Sequence, residues 1–159
     1  MRISVIAVGK LKEPYLAAAV AEYSKRISRY AGLDIITVPE ETISESDSPA
    51  RRAELRETEA ERMLAKVRHS ATVIACDLAG REMSSEQFAA SLAAHGLAGR
   101  SDIMFMIGGP TGFAPRALAR ADDRICFSQM TFPHQLMQVI LLEQVYRAFK
   151  IQRNEPYHL

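Results

Sequence analysis

Two kinds of hydrophobic pattern alternate along the chain. Short, nearly continuous apolar runs rich in β-branched residues are typical of strands covered on both faces of a sheet. Longer segments repeat apolar residues every three to four positions, which predicts helices. The predicted strands span residues 2–8, 33–38, 71–76, 102–107 and 124–127. The predicted helices span residues 14–28, 48–67, 84–95, 115–121 and 133–150.

This alternation predicts one α/β domain over residues 1–159, with a parallel sheet flanked by helices and right-handed crossovers between the strands. Ser48 and Pro49 form a start signal for the second helix. The segment 39–48, "PEETISESDS", is acidic and rich in serine, which predicts a mobile loop rather than a boundary between domains.

Composition limits the partners that the chain can attract. The 159 residues, 48% of them apolar, suffice for one substantial core. Twenty Lys and Arg residues nearly balance 19 Asp and Glu residues, so the formal net charge is only +1. A nucleic-acid partner must therefore be held by a local patch, because no overall positive field draws it to the surface.

Neither terminal apolar run has the features of a membrane or secretion segment. The first run ends at Gly9 and Lys10 without a cleavage site of small residues, which predicts a strand. The last helix is too polar to span a bilayer, because its apolar run is interrupted by Gln138, Glu143, Gln144 and Arg147. We expect a cytoplasmic protein, in which Cys76 and Cys126 are reduced thiols of the core. No metal site is expected, since neither cysteine has a further Cys or His at ligand spacing.

Three unusual segments follow the third, fourth and fifth predicted strands. They are 77–81 ("DLAGR"), 108–113 ("GGPTGF") and 128–135 ("SQMTFPHQ"). Ligands of parallel α/β sheets bind beyond the carboxyl ends of the strands, so these segments are the candidate site. The glycines at 108, 109 and 112 either form a tight turn or let a ligand approach the backbone.

The glycine segment does not match a phosphate-binding loop. No Lys followed by Ser or Thr comes after the glycines, and the first strand lacks the glycine pattern of dinucleotide-binding folds. Met106, Met130 and Phe132 are candidate apolar walls, although methionines at such positions are also common in cores. The pattern favours a small ligand with an adenine and an amino-acid part.

The last helix carries apolar residues around most of its circumference, more than one sheet face can cover, which predicts a second subunit. Arg147 either pairs with Glu143, one turn away, or binds substrate. His134, at the start of the helix, is either a capping or packing residue or a catalyst.

Several motifs together resemble one family of enzymes. They are the opening "ISVIAVGKLKEPY", the segment "IGGPTGF", the run "SQMTFPHQLMQVILLEQVYRAFKI" and the ending "PYHL". The chain is similar from Arg2 to His158 to the bacterial methyltransferases that modify N3 of a pseudouridine in 23S ribosomal RNA. These belong to the SPOUT class of knotted enzymes, which use S-adenosylmethionine as methyl donor.

The resemblance implies a C-terminal trefoil knot, a homodimer and a cofactor site near the dimer interface. The residues implied to contact S-adenosylmethionine are Cys76, Gly108, Gly109, Phe127, Ser128, Gln129, Met130, Thr131 and Phe132. The family usually carries Leu where this chain has Cys76, which suggests a contact through the backbone.

Catalytic roles follow from the chemistry of methyl transfer to N3, if the resemblance holds. We expect the tail to meet ribosomal RNA beside the partner's cofactor, with Tyr157 stacking on the base and Arg153 and His158 holding the backbone. His134 is the first candidate for the proton acceptor, with Tyr157 or water as rivals, and Arg147 would favour an anionic base. Tyr157 and His158, which follow Pro156 at the end of the chain, are expected to contribute little to the fold.

Two other readings fit the same pattern of elements. One is a flavodoxin-like binding or signalling module without methyltransferase activity, which would need an acidic cluster or a flavin phosphate loop. Asp77 alone does not make such a cluster. The other is a dimeric ribosome-associated binder without catalysis.

Overall fold

A computed structural model describes residues 1–157 of the chain, and His158 lies outside the described residues. The strands are β1 (Arg2–Val8), β2 (Gly32–Val38), β3 (Thr72–Glu82), β4 (Asp102–Ile107) and β5 (Asp123–Cys126). The helices are α1 (Pro14–Ile27), α2 (Pro49–Leu64), α3 (Ser85–Leu97), α4 (Pro115–Arg120) and α5 (His134–Gln152). No helix within the described residues is long and apolar enough to cross a membrane.

The strands form one parallel sheet in the order β2-β1-β4-β3-β5. The predicted parallel α/β fold is thus confirmed. A flavodoxin-like sheet has the order 2-1-3-4-5, so the exchange of β3 and β4 rules out that alternative. The trefoil knot stays a prediction.

Side chains that alternate along the central strands form two apolar layers. Ile3 and Phe105 pack with Val20 of α1 and Leu141 of α5 on one face of the sheet. Ile6 and Met106 pack with Met63 of α2 on the other face. Both faces are covered, which is the reason that these strands are almost continuously apolar in sequence.

Local capping hydrogen bonds explain where two helices begin. The Ser48 hydroxyl accepts the backbone N–H of Arg51 at 3.1 Å, which confirms the predicted start of α2. Ser84 and Gln87 form a reciprocal capping box at the start of α3.

The third strand is longer than the sequence predicts. The segment 77–81, which the sequence places after the third strand, belongs to it, because β3 continues to Glu82. A register shift between Cys76 and Arg81 lets the strand resume its pairing with β5 beyond the irregular segment. Gly80 lies in this segment, where a Cβ would come within 2.6 Å of the Ile125 backbone. The two strands therefore approach each other too closely for a side chain at this point.

Candidate functional site

A cavity of about 590 Å³ lies at the carboxyl ends of β4 and β5, beside the irregular middle of β3. It brings together the three segments that the sequence predicted to meet there. Its lining residues are Cys76, Asp77, Leu78, Ile107, Gly108, Gly109, Pro110, Gly112, Phe113, Ile125, Cys126, Phe127, Ser128, Met130, Thr131, Phe132, Pro133, His134 and Met137. Of the residues expected to contact the cofactor, Gln129 is not among them.

The glycine segment is a closed turn that forms one wall of the cavity. The backbone N–H of Gly112 donates to the Gly109 carbonyl at 3.0 Å. Gly112 has a φ of +82°, a backbone angle that residues with a side chain rarely adopt. A Cβ on Gly109 would lie 2.9 Å from Oε2 of Glu59 and 3.1 Å from Cγ1 of Val8. A side chain at Gly109 would therefore displace the Glu59 carboxyl group or the turn itself.

The segment 127–132 forms a second wall and is held by local hydrogen bonds. The Ser128 hydroxyl accepts the N–H of Met130 at 3.0 Å. The Cys126 thiol donates to the Ser128 carbonyl, also at 3.0 Å. Met130 is 73% exposed and Phe132 is half-buried, so the mouth of the cavity is apolar.

Both cysteines of the site are free thiols, as predicted. Burial raises the pKa of the Cys76 thiol well above its ordinary value. A thiol held neutral in this way is a poor nucleophile. Cys76 therefore contributes a neutral surface to the cavity.

His134 joins the cavity to the loop that follows β2. Its Nε2 lies 3.8 Å from Oε2 of Glu40, which is itself 4.0 Å from Nζ of Lys12. Within the described part of the chain this buried nitrogen has no hydrogen-bond partner. Burial lowers the pKa of His134, and Glu40 opposes this effect. The imidazole is therefore neutral near pH 7.

Arg147 lies far from the cavity within one chain. It follows Met137, which lines the cavity, by ten positions on α5, which corresponds to about 15 Å along the helix axis. Its guanidinium donates to the Glu143 carboxylate at 2.6 and 3.0 Å, so the predicted ion pair forms. A single chain thus does not bring Arg147 to the candidate cofactor site.

The tail folds back onto the surface of α5 and α1. Asn154 adopts a φ of +52° after the helix, and the Tyr30 phenol donates to Glu155. The Tyr157 ring packs edge-on against Tyr146, with centroids 4.9 Å apart. The expectation that Tyr157 is not a packed residue is wrong, because the reversal of the chain at Asn154 returns it to the helix. His158 lies outside the described residues.

Sequence reasoning missed one acidic residue behind the site. Glu59 lies on α2 and is only 3% exposed, and its carboxyl group faces the glycine turn. A signal was present, because Glu59 lies midway between Leu55 and Met63 at a spacing of four residues, on the buried stripe of an otherwise charged helix. A charged residue on such a stripe needs a partner or a function.

Comparison with known proteins gives consistent full-length matches. Residues 1–158 match the family described as "Predicted SPOUT methyltransferase". The chain is 50% identical to "Ribosomal RNA large subunit methyltransferase H 1" of Clostridium perfringens (strain SM101 / Type A) over 158 residues, which cover 99% of both chains. It is 51% identical to the "Ribosomal RNA large subunit methyltransferase H" of Carboxydothermus hydrogenoformans, again over 99% of both chains.

Solved structures agree with this match at the level of the fold. A probable methylase family protein from Haemophilus influenzae Rd KW20 matches with a TM-score of 0.53 at 13% identity, over 99% of this chain and 70% of that one. The tRNA (m1G37) methyltransferase of Aquifex aeolicus matches with a TM-score of 0.51 at 10% identity, over 92% of this chain and 70% of that one. With the family match spanning residues 1–158, the chain belongs to the SPOUT methyltransferase family.

Proposed function

We propose that this protein transfers a methyl group from S-adenosylmethionine to N3 of a pseudouridine in large-subunit ribosomal RNA. The observation that carries the proposal is the cavity formed by the glycine turn and segment 127–132, in a chain of the SPOUT methyltransferase family. The relatives that are half identical over their full length are named as large-subunit ribosomal RNA methyltransferases. The protein would act in the cytoplasm, on the ribosome.

The cavity fits S-adenosylmethionine by size and by charge. A volume of about 590 Å³ is typical of sites for ligands of this size. No Lys or Arg occurs among its described lining residues, which disfavours a phosphate-bearing cofactor. The carboxylate of Asp77 lines the cavity and suits a ligand with cationic groups, although it also pairs with Arg124 at 3.4 Å. The backbone of Gly108 and Gly109 and the apolar side chains of segment 127–132 would hold the adenosine part.

When bound, S-adenosylmethionine supplies a methyl group activated by a positively charged sulfur. The residues of the chain then have two tasks, which are to align the acceptor base and to take up the proton of N3. His134 lines the cavity as a neutral imidazole and can accept a proton, with water as an alternative. Tyr157 is the less suitable acceptor, because burial raises the pKa of its phenol and keeps it protonated. A cationic Arg147 would stabilise the negative charge that develops on the base.

The proposed enzyme works as a homodimer. The cavity is lined by the first turn of α5, whereas Arg147 and Tyr157 meet on the helix from Glu143 onward, so a site that combines them with the cavity would need two chains. A two-fold contact between antiparallel α5 helices would place the partner subunit's Tyr157 beside the cavity. Leu136 and Ile140 on α5 are half-buried apolar residues outside the clusters of the core, and Leu78 at the cavity is 60% exposed. These residues supply an apolar surface for such a contact.

The decisive experiment is methylation of ribosomes from cells that lack this protein. Labelled S-adenosylmethionine should transfer its label to one pseudouridine of the large-subunit RNA, located by primer extension and mass spectrometry. Intact ribosomes, isolated subunits and free RNA should be compared in parallel, since a near-neutral chain is expected to bind bare RNA weakly. A protein that binds ribosomes without transferring label would be a non-catalytic binder.

The cofactor is tested by calorimetry with S-adenosylhomocysteine. Gly109→Val should abolish binding, because the side chain would push the glycine turn away from Glu59 and Val8. Gly32→Val is a suitable control for added bulk, since a Cβ there meets nothing within 4 Å. Binding of flavin mononucleotide in place of S-adenosylhomocysteine would contradict the proposal.

A further inference from the structure

Glu59 is a buried carboxyl group with an incomplete set of partners. It is 3% exposed, and its Oε1 accepts the backbone N–H of Glu41 at 2.9 Å. Its Oε2 is buried and accepts no hydrogen bond from the described residues. Burying a carboxyl group in this way costs free energy, so stability alone does not explain why α2 carries Glu59 on its apolar stripe.

The Oε2 side of Glu59 faces the glycine turn of the cofactor cavity. The Cβ position of Gly109 is 2.9 Å from Oε2 and 3.1 Å from Cγ1 of Val8, so Gly109 is held between α2 and the end of β1. The gap that Glu59 shares with Gly108 and Gly112 has no room for a water molecule. Because packed interiors are hard to compress, the turn cannot move toward α2 without displacing Glu59.

The Oε1 side of Glu59 holds the start of the loop 39–48. Glu41 is also paired with Arg62 of α2, and Arg62 donates to the Pro39 carbonyl at 3.0 Å. This loop is one wall of a second cleft, of about 950 Å³, which shares Pro110 with the cofactor cavity. A single carboxyl group therefore touches both the cofactor wall and the wall of the neighbouring cleft.

We propose that Glu59 is a positioning residue that couples cofactor binding at the glycine turn to the arrangement of the loop 39–48. The inference rests on the proposed function, because it takes S-adenosylmethionine as the ligand of the first cavity. A ligand that presses on Gly109 acts on Glu59 and, through Glu59, on the N–H of Glu41. Coupling of this kind is reciprocal, so the state of the loop changes cofactor affinity by the same factor.

Hydrogen exchange of the wild-type protein tests the coupling directly. S-adenosylhomocysteine should slow exchange at the amides of Gly108, Gly109 and Gly112, which line the first cavity, and also at the amide of Glu41, which does not. Protection at 108–112 with an unchanged Glu41 amide would overturn the inference. Absence of protection at both places would remove the proposed cofactor site and the coupling with it.

Variants of Glu59 separate positioning from a general loss of structure. Glu59→Ala should weaken S-adenosylhomocysteine binding by about tenfold, a typical coupling, and remove the protection of the Glu41 amide. Glu59→Gln keeps an oxygen for that amide and should restore both properties. The control Glu57→Ala changes another residue of α2, a half-exposed carboxylate that lies 4.0 Å from Arg116 of α4. This variant should change the affinity for S-adenosylhomocysteine by less than about twofold. A folded Glu59→Ala protein with wild-type affinity would contradict the inference, and if this variant does not fold, the wild-type exchange data decide.

Discussion

The Tyr157 phenol donates a hydrogen bond to the Glu143 carboxylate at 3.1 Å. Arg147 donates to the same carboxylate oxygen, and its guanidinium lies 4.8 Å from the centroid of the Tyr157 ring. Tyr157 and Arg147 are thus held against one another before any substrate is present. The tail of the chain is docked on α5 between Glu143, at the middle of the helix, and Arg147, one turn later.

Truncation of Tyr157 should therefore cost stability. Tyr157→Ala loses the edge-on contact with Tyr146 and should lower the free energy of unfolding by about 1–3 kcal/mol. Tyr157→Phe keeps the ring and loses the hydrogen bonds of the phenol with Glu143 and Tyr23, each of which corresponds to about 0.5–1.5 kcal/mol. Urea unfolding measures both values. An Ala variant with the wild-type midpoint would show that the docked tail contributes nothing to the fold.

The neutral state of His134 should make stability depend on pH. Burial lowers the pKa of His134, so its contribution to stability is present above the unfolded value of about 6.5 and is lost as the pH falls through the lower folded pKa. The free energy of unfolding should thus decrease below about pH 6.5, and His134→Gln should flatten this slope. His69→Gln, at an exposed position, is the matched control. If the free energy of unfolding falls equally with decreasing pH in the wild type and in His134→Gln, then His134 is not the group responsible.

The close approach of β3 and β5 predicts a strict requirement for glycine at position 80. In Gly80→Ala the Cβ would lie 2.6 Å from the Ile125 backbone, and relief of this clash should cost about 1–3 kcal/mol of unfolding free energy. Gly32→Ala, with open space around the Cβ, should stay within about 0.5 kcal/mol of wild type. Thermal unfolding of the two variants provides the comparison, and equal melting temperatures would mean that the strands separate easily.

The half-buried face of α5 predicts which residues hold the proposed dimer. Leu142 is fully buried within its own chain, so Leu142→Glu should unfold the protein and does not test the interface. Ile140 is half-buried and lies outside the clusters of the core, so Ile140→Glu should give folded monomers. Sedimentation and circular dichroism together distinguish these outcomes. A wild-type protein that sediments as a monomer at micromolar concentration would argue against a composite site.

The sequence by itself determined the elements whose signals are local. The strands at 2–8 and 102–107 follow from short apolar runs, and the start of α2 follows from Ser48, whose hydroxyl needs only a neighbouring N–H. The motifs around residues 107–113 and 128–151 also identified the family, because they combine residue types that rarely occur together. In both cases the information lies within continuous segments of the chain.

Only the tertiary structure decided which distant residues meet. The extension of β3 to Glu82 depends on pairing with β5, some forty positions later in the chain, and the exchange of β3 and β4 depends on how the strands assemble. The burial of Leu142 and the partial exposure of Ile140 could not be read from a helix that is apolar on most sides. The same holds for Glu59, whose contacts with Gly109 and Glu41 exist only when α2 packs on the sheet. Hydrophobic periodicity reports which side of an element is covered, whereas the identity of the neighbour depends on contacts between residues far apart in sequence.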